Sequence, residues 1–443
     1  MQRTLADTSD IINEISSSFC AAKWYNATIW LGNGRTASCH LPPAHYIPLK
    51  DIMENPSALH NTQEKKQRRE EMLNGIQCQE CAYCWTVENN RDNDVFSDRI
   101  FKSHIYKEED IRLLKEIGLK DIDPKTLEIS FDNLCNLQCS YCNAEFSSTW
   151  ANDIKTNGKY PDMKTNGALT YHNAGEHAMP FGNKNENNPY VDAFFKWFHD
   201  SLKYNLTELR VTGGEPARSP WFWKLLEECQ DTNFDFAVNS NMIMDESRLN
   251  KLIESSKKFK HFDLYTSCEA VGEHAEFVRA GLDYNQWKEN LVKFAKDGKY
   301  RMIHIMLTIS AMSVWTLTEF MDEMLELRKK FNGHQFHMSL NILRFPSFQN
   351  VNILPTELKL SKAQELTDWV ERTQGLSNIE INQVKRLATY LRTVDRSEED
   401  TDTMENKRSD FLAFTNEYAK RKNKNIEDVF PKEFSEWYKG LKK

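Results

Sequence analysis
Between about residues 125 and 345, six short runs rich in β-branched and aromatic residues (LEISF, LTELRVTG, FDFAVNSN, FDLYTSCE, IHIMLTIS and FHMSLNIL) alternate with helical patterns. This rhythm constrains the fold more than any other feature of the chain. The intervening stretches, SPWFWKLLEECQ and VWTLTEFMDEMLELRKKF among them, place apolar side chains three and four residues apart, as a helix covering one face of a sheet does. Repeated strand–helix–strand units favour parallel strands with right-handed crossovers, and in such sheets the sites lie at the carboxyl ends of the strands. The expectation is an α/β fold whose chemistry sits where the six runs stop.

The regions on either side read differently. KWYNATIWL, the glycines at Gly32 and Gly34, and RTASCH form a β-hairpin pattern, with glycines to allow the turn. Asn55 to Gly75 has the cap, charge pattern and terminal glycine of one amphipathic helix. Trp150 to Tyr190, rich in Asn, Gly, Lys and His, reads as a long loop that is either a substrate-gating lid or plain disorder. Asp395 to Asp410 reads as an exposed charged linker between helical stretches. These patterns divide the 443 residues into 1–122, 123–350 and 351–443.

Charge and hydropathy narrow the class. With 57 basic and 65 acidic side chains the formal charge is -8, which argues against a surface built to neutralise nucleic-acid phosphates. No stretch approaches the roughly 18 apolar residues of a membrane span, and the first 19 residues lack the pattern of a secretion signal. A soluble cytoplasmic protein is expected. In that setting ten cysteines are better read as metal ligands or reduced thiols than as a disulfide framework. Eight of them precede residue 143: Cys20 and Cys39, then Cys78, Cys81 and Cys84, then Cys135, Cys139 and Cys142.

The last trio lies in CNLQCSYC, directly after the first of the six runs. Three thiolates on one loop can hold a four-iron cluster and leave its fourth iron free for a small molecule, whereas structural zinc sites favour four ligands. The spacing CX3CX2C, with Tyr141 just before the last cysteine, resembles the radical S-adenosylmethionine (SAM) superfamily over roughly Leu127 to Leu343. A second motif strengthens the resemblance: TGGEP, Thr212 to Pro216, about 70 residues further on at the end of the next run.

The resemblance implies a partial (β/α)6 barrel, a catalytic 4Fe-4S cluster on Cys135, Cys139 and Cys142, and bound SAM. It gives Gly213, Gly214 and Glu215 to the methionine amino group, and Arg279 in EFVRAG to the methionine carboxylate. Polar residues at the ends of the third and fourth runs, Asn239, Ser267 and Glu269, are candidates for the ribose hydroxyls. Caps and turns use the same residue types. The implied chemistry is reductive cleavage of SAM to a 5'-deoxyadenosyl radical that abstracts hydrogen from a peptide or small-molecule substrate. An electron donor such as flavodoxin or ferredoxin is implied with it.

Cys20, Gly34 and Cys39, followed by the CX2C pair Cys81 and Cys84, resemble the twitch auxiliary-cluster domain, which binds a second 4Fe-4S cluster. Cys78 is then a bystander. Twitch domains usually follow the barrel, and here the pattern precedes it, as in a circular permutation; the whole chain resembles twitch-domain radical SAM proteins often encoded by bacteriophages. Two other readings stay open. One is a radical SAM methyl or sulfur transferase, for which Cys268 is the cysteine to watch, and the other is a zinc-binding structural or interaction protein.

Overall fold
A computed structural model of the chain describes residues 3–89, 95–174, 187–229, 232–331, 333–393 and 400–441. Along the chain the strands are β1 (Asn26–Trp30), β2 (Arg35–Ala37), β3 (His45–Tyr46), β4 (Thr126–Ser130), β5 (Gln138–Cys139), β6 (Glu208–Thr212), β7 (Asp235–Asn239), β8 (Phe262–Ser267), β9 (Arg279–Ala280), β10 (Met302–Ile309) and β11 (Phe336–Ile342). All six runs singled out in the sequence are strands: β4, β6, β7, β8, β10 and β11. The fold is mixed α/β. No described helix is long and apolar enough to cross a membrane.

Contacts divide the chain into two compact units. The first comprises residues 1–132, 181–212 and 229–236. The second comprises 133–180, 213–228 and 237–443. The C-terminal helices share the second unit with β8, β10 and β11.

In the first unit, β1 and β2 form the expected antiparallel hairpin, with Thr28 opposite Ala37. The other edge of β1 pairs in parallel with β4, from Asn26 opposite Thr126 to Trp30 opposite Ser130, and β4 pairs in parallel with β6. The hairpin is therefore part of a larger sheet. The expected single helix from Asn55 to Gly75 is two pieces, a 3-10 turn at Pro56–Leu59 and an α-helix at Gln63–Leu73. Two caps explain the break. Asn55 accepts from the Ser57 N–H, and Thr62 accepts from the Lys65 N–H to start the helix afresh.

In the second unit, β8, β10 and β11 are parallel, with Tyr265, His304 and His337 in register. Along β10 buried and half-buried residues alternate, so one face is covered and the other is partly open. The helix Tyr284–Asp297, capped by Asp283, lies against β8: Trp287 is fully buried and its indole donates to Thr266 at 3.0 Å. Two loop expectations are corrected here. Ser147 caps a helix at Ser148–Asn157, so the segment expected to be loop begins as regular structure, while residues 175–186 of it lie outside the described residues. In the stretch read as an exposed linker, 395–399 are likewise outside the described residues, but Met404–Arg421 is a helix on which Asp410 is buried. The reason is bonding: one Asp410 oxygen accepts from Lys164 N–H, Thr165 N–H and the Thr165 hydroxyl at 2.7–2.8 Å.

Candidate active site
The three cysteines of CNLQCSYC lie on a loop whose backbone is held at every turn. Cys135 N–H donates to Ser148 Oγ at 3.1 Å, and its carbonyl accepts from Thr149 Oγ1 at 2.6 Å. Cys139, in β5, pairs antiparallel with Arg279 in β9. The Cys139 carbonyl also accepts from the Trp150 indole at 2.9 Å. The Gln138 carbonyl accepts from Tyr418 Oη at 2.6 Å, and the same hydroxyl accepts from Ala280 N–H at 3.4 Å. A buried ring cluster of Trp150, Tyr160, Tyr171, Phe414 and Tyr418 backs the loop.

All three thiols are half-buried, and each meets the field of at least one of the others. Burial pushes Cys135 up to about 12, and it raises Cys139 and Cys142 as well. Burial in the absence of a metal makes deprotonation costlier, and a thiol must lose its proton to bind one.

The glycine turn is locked to this loop. Glu215 N–H donates to the Leu134 carbonyl at 2.7 Å. Gly213 has φ 139°, which L side chains rarely adopt, and a Cβ on Gly214 would fall 2.5 Å from Leu134 O and 2.7 Å from Asn133 O. Glycine is required here so that two stretches of backbone can touch. The Glu215 carboxylate is 1% exposed and accepts from Ser240 Oγ at 2.8 Å, Asn241 N–H at 2.5 Å and Ala217 N–H at 3.1 Å. Burial nevertheless raises its pKa to about 7. Asn241 donates to Asn136 Oδ1 at 2.9 Å, which ties the end of β7 back to the cysteine loop. Next to this network Asn239 keeps a buried side-chain oxygen without a protein hydrogen-bond partner.

The sequence assigns Glu269 and Arg279 to different ligand groups, and in the structure each satisfies the other. Arg279 Nη2 lies 2.7 Å from Glu269 Oε2 with both side chains buried, and Tyr141 Oη donates to Glu269 Oε1 at 3.3 Å. The remaining arm of the guanidinium, Nη1, is 3.7 Å from Cys139 Sγ. Low dielectric accounts for the pairing, since neither charge could be buried alone. Ser267 stands half-buried at the end of β8, two residues before Glu269. Cys268 is fully buried, its thiol 3.5 Å from the Ala270 carbonyl.

In the first unit Cys20, Cys39, Cys81 and Cys84 line one pocket with Trp85, Lys23, Arg99 and Lys102. Cys78 is not part of that lining. Its thiol lies 3.5 Å from the Arg68 carbonyl, and its backbone carbonyl accepts from the Trp85 indole at 2.8 Å. No three His, Cys, Asp or Glu side chains among the described residues gather tightly enough to ligate a single ion. Cluster thiolates each bind a different iron, so they ring a space rather than converge on a point.

Sequence reasoning missed Trp150, Tyr418 and Asn241, all of which hold the cysteine loop or its connection to the glycine turn. The spacing of Phe411, Phe414 and Tyr418 marks a buried helical face, but nothing in it names the loop that this face meets.

No family model matches the sequence, and no curated protein matches it. Among solved structures, Streptococcus suis SuiB bound to S-adenosylmethionine aligns with TM-score 0.38 and 14% identity, over 65% of this chain and 57% of that one. SuiB bound to precursor peptide SuiA aligns with TM-score 0.38 and 12% identity, over 79% and 69% of the two chains. The protein anSMEcpe with bound AdoMet and Cp18Cys peptide aligns with TM-score 0.34 and 16% identity, over 56% and 60%. The chain thus spans less than two thirds of the first and third of these. Likenesses at this level leave the reading of the site to its own geometry.

Proposed function
We propose that this chain is a radical SAM enzyme, with the catalytic 4Fe-4S cluster on Cys135, Cys139 and Cys142. The observation that carries the reading is the backbone lock between the three-cysteine loop and the Gly213–Glu215 turn. Cluster ligands and a glycine turn suited to a small zwitterion are fixed relative to one another by that lock. The donor set fits the group: three thiols on one loop, each within the field of another, and no fourth cysteine on that loop.

The reduced cluster would supply one electron to the sulfonium of SAM, breaking its bond to C5' to give methionine and a 5'-deoxyadenosyl radical. The protein's own residues have other tasks. Gly213 and Gly214 keep backbone polar groups close to the cysteine loop, where the methionine end belongs, and Glu215 braces the turn against Ser240 and Asn241. Asn239 and Ser267 offer side chains to the ribose, while Glu269, Arg279 and Tyr141 steady Cys139 and form the wall beside the cofactor. The buried rings from Trp150 to Tyr418 exclude water from the rear of the loop.

The substrate class is a peptide or a small molecule that loses a hydrogen atom, and the electron donor a flavodoxin- or ferredoxin-type protein. Cys20, Cys39, Cys81 and Cys84 are the ligands of an auxiliary 4Fe-4S cluster in a twitch-like region, with residues 123–350 as the partial barrel and 351–443 as its helical support. Thiols that ring a pocket suit a cluster better than a single zinc ion. Anaerobic reconstitution tests the reading. A brown protein with about eight irons and eight sulfides per chain is expected. A colourless zinc protein would contradict it.

A further inference from the structure
Lys23 follows Cys20 by one helical turn and is 3% exposed. Its backbone is pinned, the Lys23 carbonyl accepting from buried Arg69 Nε at 3.0 Å. Its ammonium pairs with Glu80, the residue before Cys81, and its side chain lines the same pocket as Cys20, Cys39, Cys81 and Cys84. The other charges around the pocket are already matched or lie toward its rim. Arg99 is paired with Glu88 at 2.8 Å, Asp98 faces His40 at 3.6 Å, and Lys102 approaches from the Cys39 side. Glu80 also lies 3.6 Å from Arg68, whose nearer partner is Glu71 at 2.6 Å, and of the Lys23–Glu80 pair it is Lys23 that lines the pocket. Burying an ammonium beside four thiols is costly if they are neutral, and favourable if they carry negative charge as metal-bound thiolates.

We infer that Lys23 is a positioning residue for the charge of this pocket: its buried ammonium is the fixed positive charge that stabilises a four-thiolate cluster there and raises its reduction potential. The inference rests on the auxiliary-cluster reading. A four-iron cluster with four thiolates goes from net charge 2− to 3− on accepting one electron from a donor. A cation in a low-dielectric wall favours the more negative form, and Glu80 opposes it.

The test uses the full chain with Cys135, Cys139 and Cys142 replaced by Ala, leaving one cluster, and an electron-paramagnetic-resonance redox titration with dithionite as donor. Lys23→Met should lower the reduced-to-oxidised ratio at a fixed potential about tenfold, a midpoint shift of about -59 mV for one electron. Lys23→Arg should restore the parental midpoint, and Glu80→Gln should move it upward. An iron-loaded Lys23→Met protein with the parental midpoint would overturn the inference. So would Glu80→Gln with an unmoved or lowered midpoint, which decides the matter even if Lys23→Met does not fold. Zinc in place of iron in the triple-alanine parent would instead overturn the auxiliary-cluster reading beneath it, and metal analysis separates the two failures.

Discussion
Gly214→Ala is the smallest change that probes the join between the cysteine loop and the glycine turn. The added Cβ would sit 2.5 Å from Leu134 O, 2.7 Å from Asn133 O and 2.8 Å from Asn133 C, all of them backbone atoms that cannot rotate away. Ordinary contact begins at 3.4 Å, so relieving the clash fully takes a parting of the two segments by about 0.9 Å. The same movement stretches the 2.7 Å bond from Glu215 N–H to Leu134 O beyond hydrogen-bonding range. Overpacking plus one lost buried hydrogen bond costs about 2–4 kcal/mol. If about half of that falls on the binding-competent arrangement, SAM affinity drops roughly five- to thirtyfold. The assay is equilibrium titration of SAM into anaerobically reconstituted protein, with iron content and melting temperature measured on the same samples. Gly440→Ala, where an added Cβ meets nothing within 4 Å, is the control and should leave all three unchanged. A Gly214→Ala protein with parental affinity and parental melting temperature would refute the proposed lock.

Three further outcomes follow from named contacts. Burial raises Glu215 from 4.5 to about 7, so it contributes up to about 3 kcal/mol of stability to the cluster-free fold below pH 4.5, and this is lost as pH rises through 7. Glu215→Gln should remove that component of the pH–stability curve, and an unchanged slope would contradict the assignment. Arg279→Leu strands a buried Glu269 carboxylate and should cost about 3–5 kcal/mol in denaturant unfolding, with Arg279→Leu/Glu269→Leu recovering much of it; a loss under 1 kcal/mol would remove the pair from the site's support. Tyr418→Phe takes the hydroxyl from the Gln138 carbonyl beside Cys139 and should cost about 1–2 kcal/mol while speeding iron loss to a chelator, and unaltered release kinetics would speak against the clamp.

The strands were legible because their periodicity is local: each of the six runs carries its own β-branched pattern and stop. Helix and loop limits were less so, because capping competes with pattern. The charge pattern from Asn55 to Gly75 is continuous, yet Asn55 and Thr62 each start a separate helical piece. Asp410 looked solvated because it lies in a charged run, and only its three hydrogen bonds to residues 245 and 246 positions away make it an anchor. The same limit applies at the site. Cysteine spacing and the glycine motif are sequence-local and could be read directly. The mutual pairing of Glu269 and Arg279, the backbone contact that demands Gly214, and the support from Tyr418 depend on long-range approach, to which no spacing rule refers. Glycine at 214 could be read as room for a ligand, while the atoms nearest its missing Cβ belong to Asn133 and Leu134.

The central claim is that Cys135, Cys139 and Cys142 support cleavage of SAM, and its most direct measurement is 5'-deoxyadenosine formed by the anaerobically reconstituted protein with SAM and dithionite, quantified by mass spectrometry beside Cys139→Ala. The account predicts steady product from the parent and none above background from the variant, with the fold of the variant intact by circular dichroism. Product formed at the parental rate by Cys139→Ala, or none from a parent that carries its full complement of iron and sulfide, would contradict it.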